Sequence, residues 1–162
     1  MKRIVLTTMV TLVFLSACSS STSSVPVGPP VGSQGGIEIY QPSVRLPGDG
    51  MAGMASATGQ LAGYMLIKNT GTTPDSLVGV QADFTDMTML HMSSVDSNNV
   101  SSMIVVNAID IPAGQTVELK PGGYHIMFVG LKRDLKVGDS VTLILQFKNA
   151  GAISIPAQVT DK

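Results

Sequence analysis

The sequence predicts an all-β domain, a sandwich or barrel, and three observations point there. From Ile37 onward, short apolar runs rich in β-branched residues recur about every 8 to 15 residues. Turn-setting residues separate them. No stretch carries the 3.6-residue periodicity of an amphipathic helix across three turns. In chain order the candidate strands are Ile37 to Leu46, Gly63 to Asn69, Ser76 to Gln81, Met87 to Ser93, Ser102 to Val106, Gln115 to Leu119, Tyr124 to Gly130, Ser140 to Lys148 and Ala152 to Val159.

The connections support this order. Asn69-Thr-Gly, Pro112-Ala-Gly, Val137-Gly-Asp and Asn149-Ala-Gly each carry residues that set turn dihedrals. In Lys120-Pro121-Gly122-Gly123, Pro in the second position and Gly in the third fit a type II turn, so Gln115 to Leu119 and Tyr124 to Gly130 are expected to form a hairpin. The polar run Ser93 to Ser102, with Asp96-Ser-Asn-Asn inside it, reads as a hairpin loop. Leu46 to Gln60 reads as a long Gly-rich loop whose Met51 and Met54 either fill space or offer soft-metal contacts.

The N-terminus has a different grammar. Met1-Lys2-Arg3 is basic, Ile4 to Phe14 is apolar, and Leu15-Ser16-Ala17-Cys18 ends the run with small residues, the layout of a signal peptide. The apolar run is too short for an ordinary membrane span. Leu-Ser-Ala-Cys resembles the lipobox of bacterial lipoproteins, which implies cleavage before Cys18 and lipid attachment to its sulfur. Cys18 is the single cysteine of the chain, so the expected mature domain has neither an internal disulfide nor a thiolate ligand. Residues 18–36 then form the lipidated Cys and a flexible Ser/Pro/Gly tether, which reaches about 60 Å if fully extended at ~3.3 Å per residue. Residues 37–162 form the folded domain, held outside the cytoplasm on a membrane.

Composition narrows the function. Ten Lys and Arg are scattered among eleven Asp and Glu, and the formal net charge is −1, so the clustered basic surface that binds nucleic acid is missing. An enzyme finds little support: Gly138-Asp-Ser looks like a hydrolase fragment, but it falls at a turn and no third histidine exists to act as base. Ten Met with no Trp is the unusual feature.

Both histidines of the chain stand beside methionines. In a strand, alternate side chains share a face, so Tyr124, Ile126 and Phe128 form the expected core side while His125 and Met127 lie together on the less buried side, about 6.5 to 7 Å apart at Cα. In Met87-Thr-Met-Leu-His-Met, Met87, Met89 and His91 share a face and Met92 points the other way unless the strand ends there. Thioether sulfur is soft and uncharged, so with imidazole it selects Cu(I) over Zn(II), Mg(II) or Ca(II). A blue-copper electron-transfer centre would need a cysteine thiolate that the domain lacks. A metal-free surface lipoprotein module, with the methionines simply packing, stands as the alternative, as does general copper homeostasis or storage.

Met92 and Met103 with ten residues between them, then His125-Ile-Met127, together with Ala62-Gly-Tyr-Met, Leu90-His-Met, Ile111-Pro-Ala-Gly and Glu118-Leu-Lys-Pro-Gly-Gly-Tyr-His-Ile-Met, resemble the periplasmic copper chaperones of the PCu(A)C type. The resemblance spans Gly63 to Val159. It implies a cupredoxin-like Greek-key β-sandwich that binds Cu(I) through His and Met and passes it towards the Cu(A) centre of cytochrome c oxidase subunit II, alone or alongside a thioredoxin-like Sco protein. Position by position it implies His125, Met127 and Met103 as ligands. For the fourth, the Leu-His context points to His91, which is the expected ligand; Met92, which strict spacing favours, is the alternate, and Met89 is a further same-face candidate. The His/Met-rich C-terminal tail of some members is absent, since the chain stops at Thr160-Asp-Lys.

Overall fold

The computed structural model describes residues 26, 28–46, 59–95 and 101–161. The expected leader, Cys18, the first part of the tether, the Met51 and Met54 loop and the Asp96 to Asn99 connection lie outside the described residues. The domain is all-β, and no helix occurs among the described residues. All nine expected strands form: β2 (Ile37–Arg45), β3 (Gln60–Asn69), β4 (Asp75–Ala82), β5 (Thr85–Val95), β6 (Ser101–Val106), β8 (Thr116–Leu119), β9 (Tyr124–Leu131), β10 (Ser140–Phe147) and β11 (Gly151–Thr160). Two more, β1 (Gly32–Gln34) and β7 (Ile109–Ile111), were not expected.

Strand β1 lies inside the segment read as tether, so regular structure begins earlier than composition suggests. Gly35 and Gly36, with φ of 58° and 85°, turn the chain back so that Gln34 faces Ile37 across a tight hairpin. Only Gly fits at position 32, where an added Cβ would come within 2.5 Å of the Ile155 side chain.

Hydrogen bonding runs in one path, β6-β5-β9-β3-β2-β11-β10-β4-β7, with β1 attached to β2 and β8 to β3. Every neighbouring pair is antiparallel except β2 with β11, where Ser43 to Arg45 run parallel to Gln158 to Thr160. The path curls until its distant parts meet. Thr88 Oγ1 on β5 donates to the Val80 carbonyl on β4, and Asn69 Nδ2 at the end of β3 donates to the Ile111 carbonyl on β7 at 3.1 Å. The enclosed space is one aliphatic core of Ile37, Ile39, Ile67, Leu77, Ile126, Leu143, Leu145 and Ile155, with Phe84 and Phe128 stacked obliquely at 5.0 Å. The buried Asp75 carboxylate accepts the backbone N–H groups of Ser76, Asn149 and Ala150, which ties the start of β4 to the β10–β11 turn.

The expected hairpin at Lys120 to Gly123 is corrected by the structure. The turn itself forms: Gly122 has φ of 76° and the Gly123 N–H bonds to the Lys120 carbonyl at 3.1 Å. Yet β8 and β9 do not pair with each other. Both pair with β3, β8 against Met65 to Lys68 and β9 against Gln60 to Gly63. They are two collinear parts of one strand, and the turn is an excursion pushed out between them. Type II turn chemistry is readable in sequence, but it cannot tell a hairpin from such an excursion.

A bulge in β2 has an equal effect on the site. Tyr40 faces Leu66 and Ser43 faces Tyr64, so Gln41 and Pro42 together oppose the single residue Met65, with Gln41 at φ 49°. Odd positions Ile37 and Ile39 point into the core before the bulge, and the even position Val44 does so after it. The switch of parity leaves Ser43 and Arg45 on the opposite face.

Phe128→Ala removes the ring that packs on Phe84 and on Gly63, and is expected to lower stability by about 3–5 kcal/mol in urea denaturation. A loss below about 1 kcal/mol would contradict a single packed core.

Candidate metal centre

Strand β9 organises the site because it pairs along one edge with β5 and along the other with β3. Residues directly opposite in an antiparallel pair share a face. His125 faces His91, Met127 faces Met89, and Met127 also faces Ala62 on β3. On β6, Val105 faces His91 and Met103 faces Ser93. These pairings put His91, Met103, His125, Met127 and Met89 on one face. Met92 faces Tyr124 and Ile104, so it lies on the other. Of the sequence candidates, the fold therefore brings His91 to the other three residues and turns Met92 away. Met89 shares the face but lines a separate groove with Val78 and Val105.

A cavity of about 460 Å³ opens on this face and is lined by Met103, His125 and Met127, with Arg45, Gln60, Ala62, Tyr64, Ser93, Pro121 and Gly122 among its walls. His91 stands against His125, ring edge to ring, with centroids 5.6 Å apart. Sequence alternation puts the histidines on a less buried face, and the face is so, with Met87 and Val105 exposed on it; the two histidines themselves are covered. His91 and His125 are 7% and 5% exposed, Met127 is half-buried, and Met103 at the rim is 52% exposed. Around the histidines this face is thus covered, forming a partly polar recess beside the excursion at Pro121 and Gly122 and Met103 of β6.

The two imidazoles differ in their bonding. His125 Nδ1 lies 3.1 Å from the Gly123 carbonyl, so Nδ1–H donates to it and Nε2 keeps its lone pair. Neither ring nitrogen of His91 has a hydrogen-bond partner among the described residues, although both are buried. An unpaired buried polar group costs about 1–3 kcal/mol, and a ligand that accepts its lone pair removes that cost. Burial, reinforced by the neighbouring His125, lowers the pKa of His91 below the usual imidazole value and keeps the ring neutral. Among the described residues no group of three or more His, Cys, Asp or Glu side chains is placed to hold a metal. The imidazoles and thioethers that meet on this face make a donor set suited to a soft monovalent ion.

Sequence reasoning missed the polar wall of Arg45, Gln60 and Tyr64. Gln60 and Tyr64 lie in or beside the Ala62-Gly-Tyr-Met stretch, so that segment already marks half of the wall. Arg45 was hidden, because the β2 bulge changes the face its side chain takes.

Comparison with known proteins agrees with this fold. A family described as "Putative lipoprotein LpqE-like" matches residues 37–159. A relative from Leifsonia xyli subsp. xyli, described as "Putative lipoprotein Lxx21020", is 28% identical over 126 residues, covering 78% of this chain and 70% of its own. Among solved structures, the copper-bound PCuAC domain from PmoF2 is 28% identical with a TM-score of 0.63, over 80% of this chain and 97% of that one. The Cu(I) form of DR1885 from Deinococcus radiodurans is 30% identical with a TM-score of 0.58, over 75% of this chain and 76% of that one. Fold and site together define a β-sandwich of the PCuAC class. Within it, the chain belongs to the LpqE-like family.

The lowered pKa of His91 fixes a sign for stability against pH. The folded form takes up a proton on His91 less readily than the unfolded chain does, so this contribution is complete above about pH 6.5 and is lost as pH falls below it. Denaturant titrations of the metal-free chain at about pH 7.5 and 5.5 are expected to show lower stability at the acid value, with a smaller difference in His91→Leu. An equal difference in both proteins would assign the effect to other groups.

Proposed function

We propose that the domain is an extracytoplasmic Cu(I) metallochaperone, anchored through a lipid on Cys18, that holds the ion with His91, Met103, His125 and Met127. In this reading copper is cargo and the chain catalyses no reaction. The observation that carries it is the pairing of two buried imidazoles across β5 and β9, one tautomer set by the Gly123 carbonyl and the other ring without a partner, with Met127 beside them and Met103 at the rim. The likeness to a copper-bound PCuAC domain supports it.

Each part of the chain has a separate task. The His91 imidazole, kept neutral by its burial, binds the ion without first losing a proton. Soft thioethers favour Cu(I) over harder divalent ions and, unlike thiols, do not oxidise to disulfides outside the cytoplasm. The gradient of exposure, from the buried histidines to Met103, gives the ion an inner and an outer side. An acceptor's ligand replaces the exposed Met103 thioether first, and the histidines release the ion last. The acceptor proposed is the apo Cu(A) domain of cytochrome c oxidase subunit II, reached directly or alongside a thioredoxin-like Sco protein.

Cu(I) competition titration tests the ligand set. The His125→Ala/Met127→Ala double variant is expected to lose more than about 100-fold in affinity, a larger loss than changes beside a metal site usually cause. Met92→Ala is expected to stay within about twofold of wild type, because its side chain is on the other face. The reverse ranking would move the site. Delivery is tested separately by mixing the Cu(I)-loaded chain with an apo Cu(A) domain and following the appearance of the binuclear centre, expected to form with wild type and not with the double variant.

A further inference from the structure

Arg45, Ala62, Met127 and Met89 form one cross-strand row, because Arg45 faces Ala62, Ala62 faces Met127 and Met127 faces Met89. With strands about 4.8 Å apart, the Cα atoms of Arg45 and Met127 are roughly 10 Å apart. The residue between them ends at Cβ, so nothing on the row separates the two long side chains. Both line the cavity that holds Met103 and His125. Tyr64 stands on the same wall, and the Arg45 cation acts on its phenol, opposing the rise in pKa that burial causes. None of the ion pairs among the described residues uses Arg45. Glu118, which lines the adjoining cavity with Arg45 and Tyr64, is held by Lys120 at 2.8 Å.

A permanent cation in a cavity whose proposed ligands are all neutral needs an explanation. Cu(I) with neutral donors keeps a charge of +1, and a guanidinium beside it is repulsive, so Arg45 works against a bare bound ion. It works in favour of an ion that carries an anionic ligand. We infer that Arg45, with Tyr64 and Gln60, forms an anion subsite beside the copper ligands that receives the thiolate of the incoming exchange partner, a protein cysteine or a small thiol. This rests on the copper reading above. The exchange balances without a redox change. A Cu(I)–thiolate bond forms, the Cu(I)–Met103 thioether bond breaks, and the thiol proton passes to solvent. Arg45 touches the incoming anion and not the metal, so it is a positioning residue. The preference for sulfur over carboxylate comes from the softness of the ion.

The test follows Cu(I) leaving the full-length chain in detergent, with Cys18→Ser removing its own thiol. Two acceptors are compared: glutathione, which attacks as a thiolate, and neocuproine, an uncharged chelator. Arg45→Gln is expected to bind Cu(I) at least as tightly as wild type, because a repulsive charge is removed, which also shows that the variant folds, and to slow transfer to glutathione by about tenfold, the size of one partly screened charge pair. Arg45→Lys retains most of the rate. Transfer to neocuproine is unchanged in all three proteins. A cysteine peptide in place of glutathione separates the sources: a larger Arg45 effect with the peptide favours a protein partner. If Arg45→Gln binds Cu(I) normally and transfers to glutathione at the wild-type rate, or slows neocuproine equally, the subsite is refuted while the copper reading stands. If the wild-type chain takes up no Cu(I), both are overturned.

Discussion

The antiparallel register that sets His91 against His125 is the constraint on which the site depends. It places two residues from distant parts of the chain on one face, and it brings Met103 to that face through the next strand. The same register sends Leu90 and Ile126 into the core, so sliding β5 by one residue would expose the core while dispersing the donors. Burial of the aliphatic face thus enforces the geometry of the opposite one. No separate energy is needed to hold the donors in place.

Around the donors, that opposite face is a recess with its own chemistry. Its histidines are as shielded as many core residues, yet one has no hydrogen-bond partner among the described residues. Such an arrangement is unfavourable for a domain meant to stay empty and natural for one that receives something accepting a lone pair. The excursion between β8 and β9 contributes twice, because Pro121 and Gly122 wall the cavity while the Gly123 carbonyl fixes the His125 tautomer. The β2 bulge adds the cationic wall.

Much of this was legible in the sequence, and the reasons it stopped where it did are physical. Alternation and turn residues revealed nine strands, because each buries one face and so repeats with period two. The pairing of His125 with Met127 followed from the same period. Strand β7 escaped because Ile109–Ile111 is too short to show any pattern, and β1 because the three residues Gly32–Gln34 carry no apolar alternation and pair with β2 across a glycine turn. The choice between His91 and Met92 was not decidable from spacing, since a neighbour's face depends on which residues pair across strands. The burial of the histidines themselves was not legible for a related reason: alternation distinguishes two faces but does not say which part of the less buried one is covered.

The parallel contact between β2 and β11 has a consequence for how the chain reaches this form. Of the described strands β2 is made second and β11 last, yet they lie side by side in the middle of the sheet. Until β11 is made, β2 presents an open edge at Ser43 to Arg45 and the core lacks Ile153, Ile155, Ala157 and Val159. Among the described strands the sheet therefore closes only when β11, the last of them to be made, is in place.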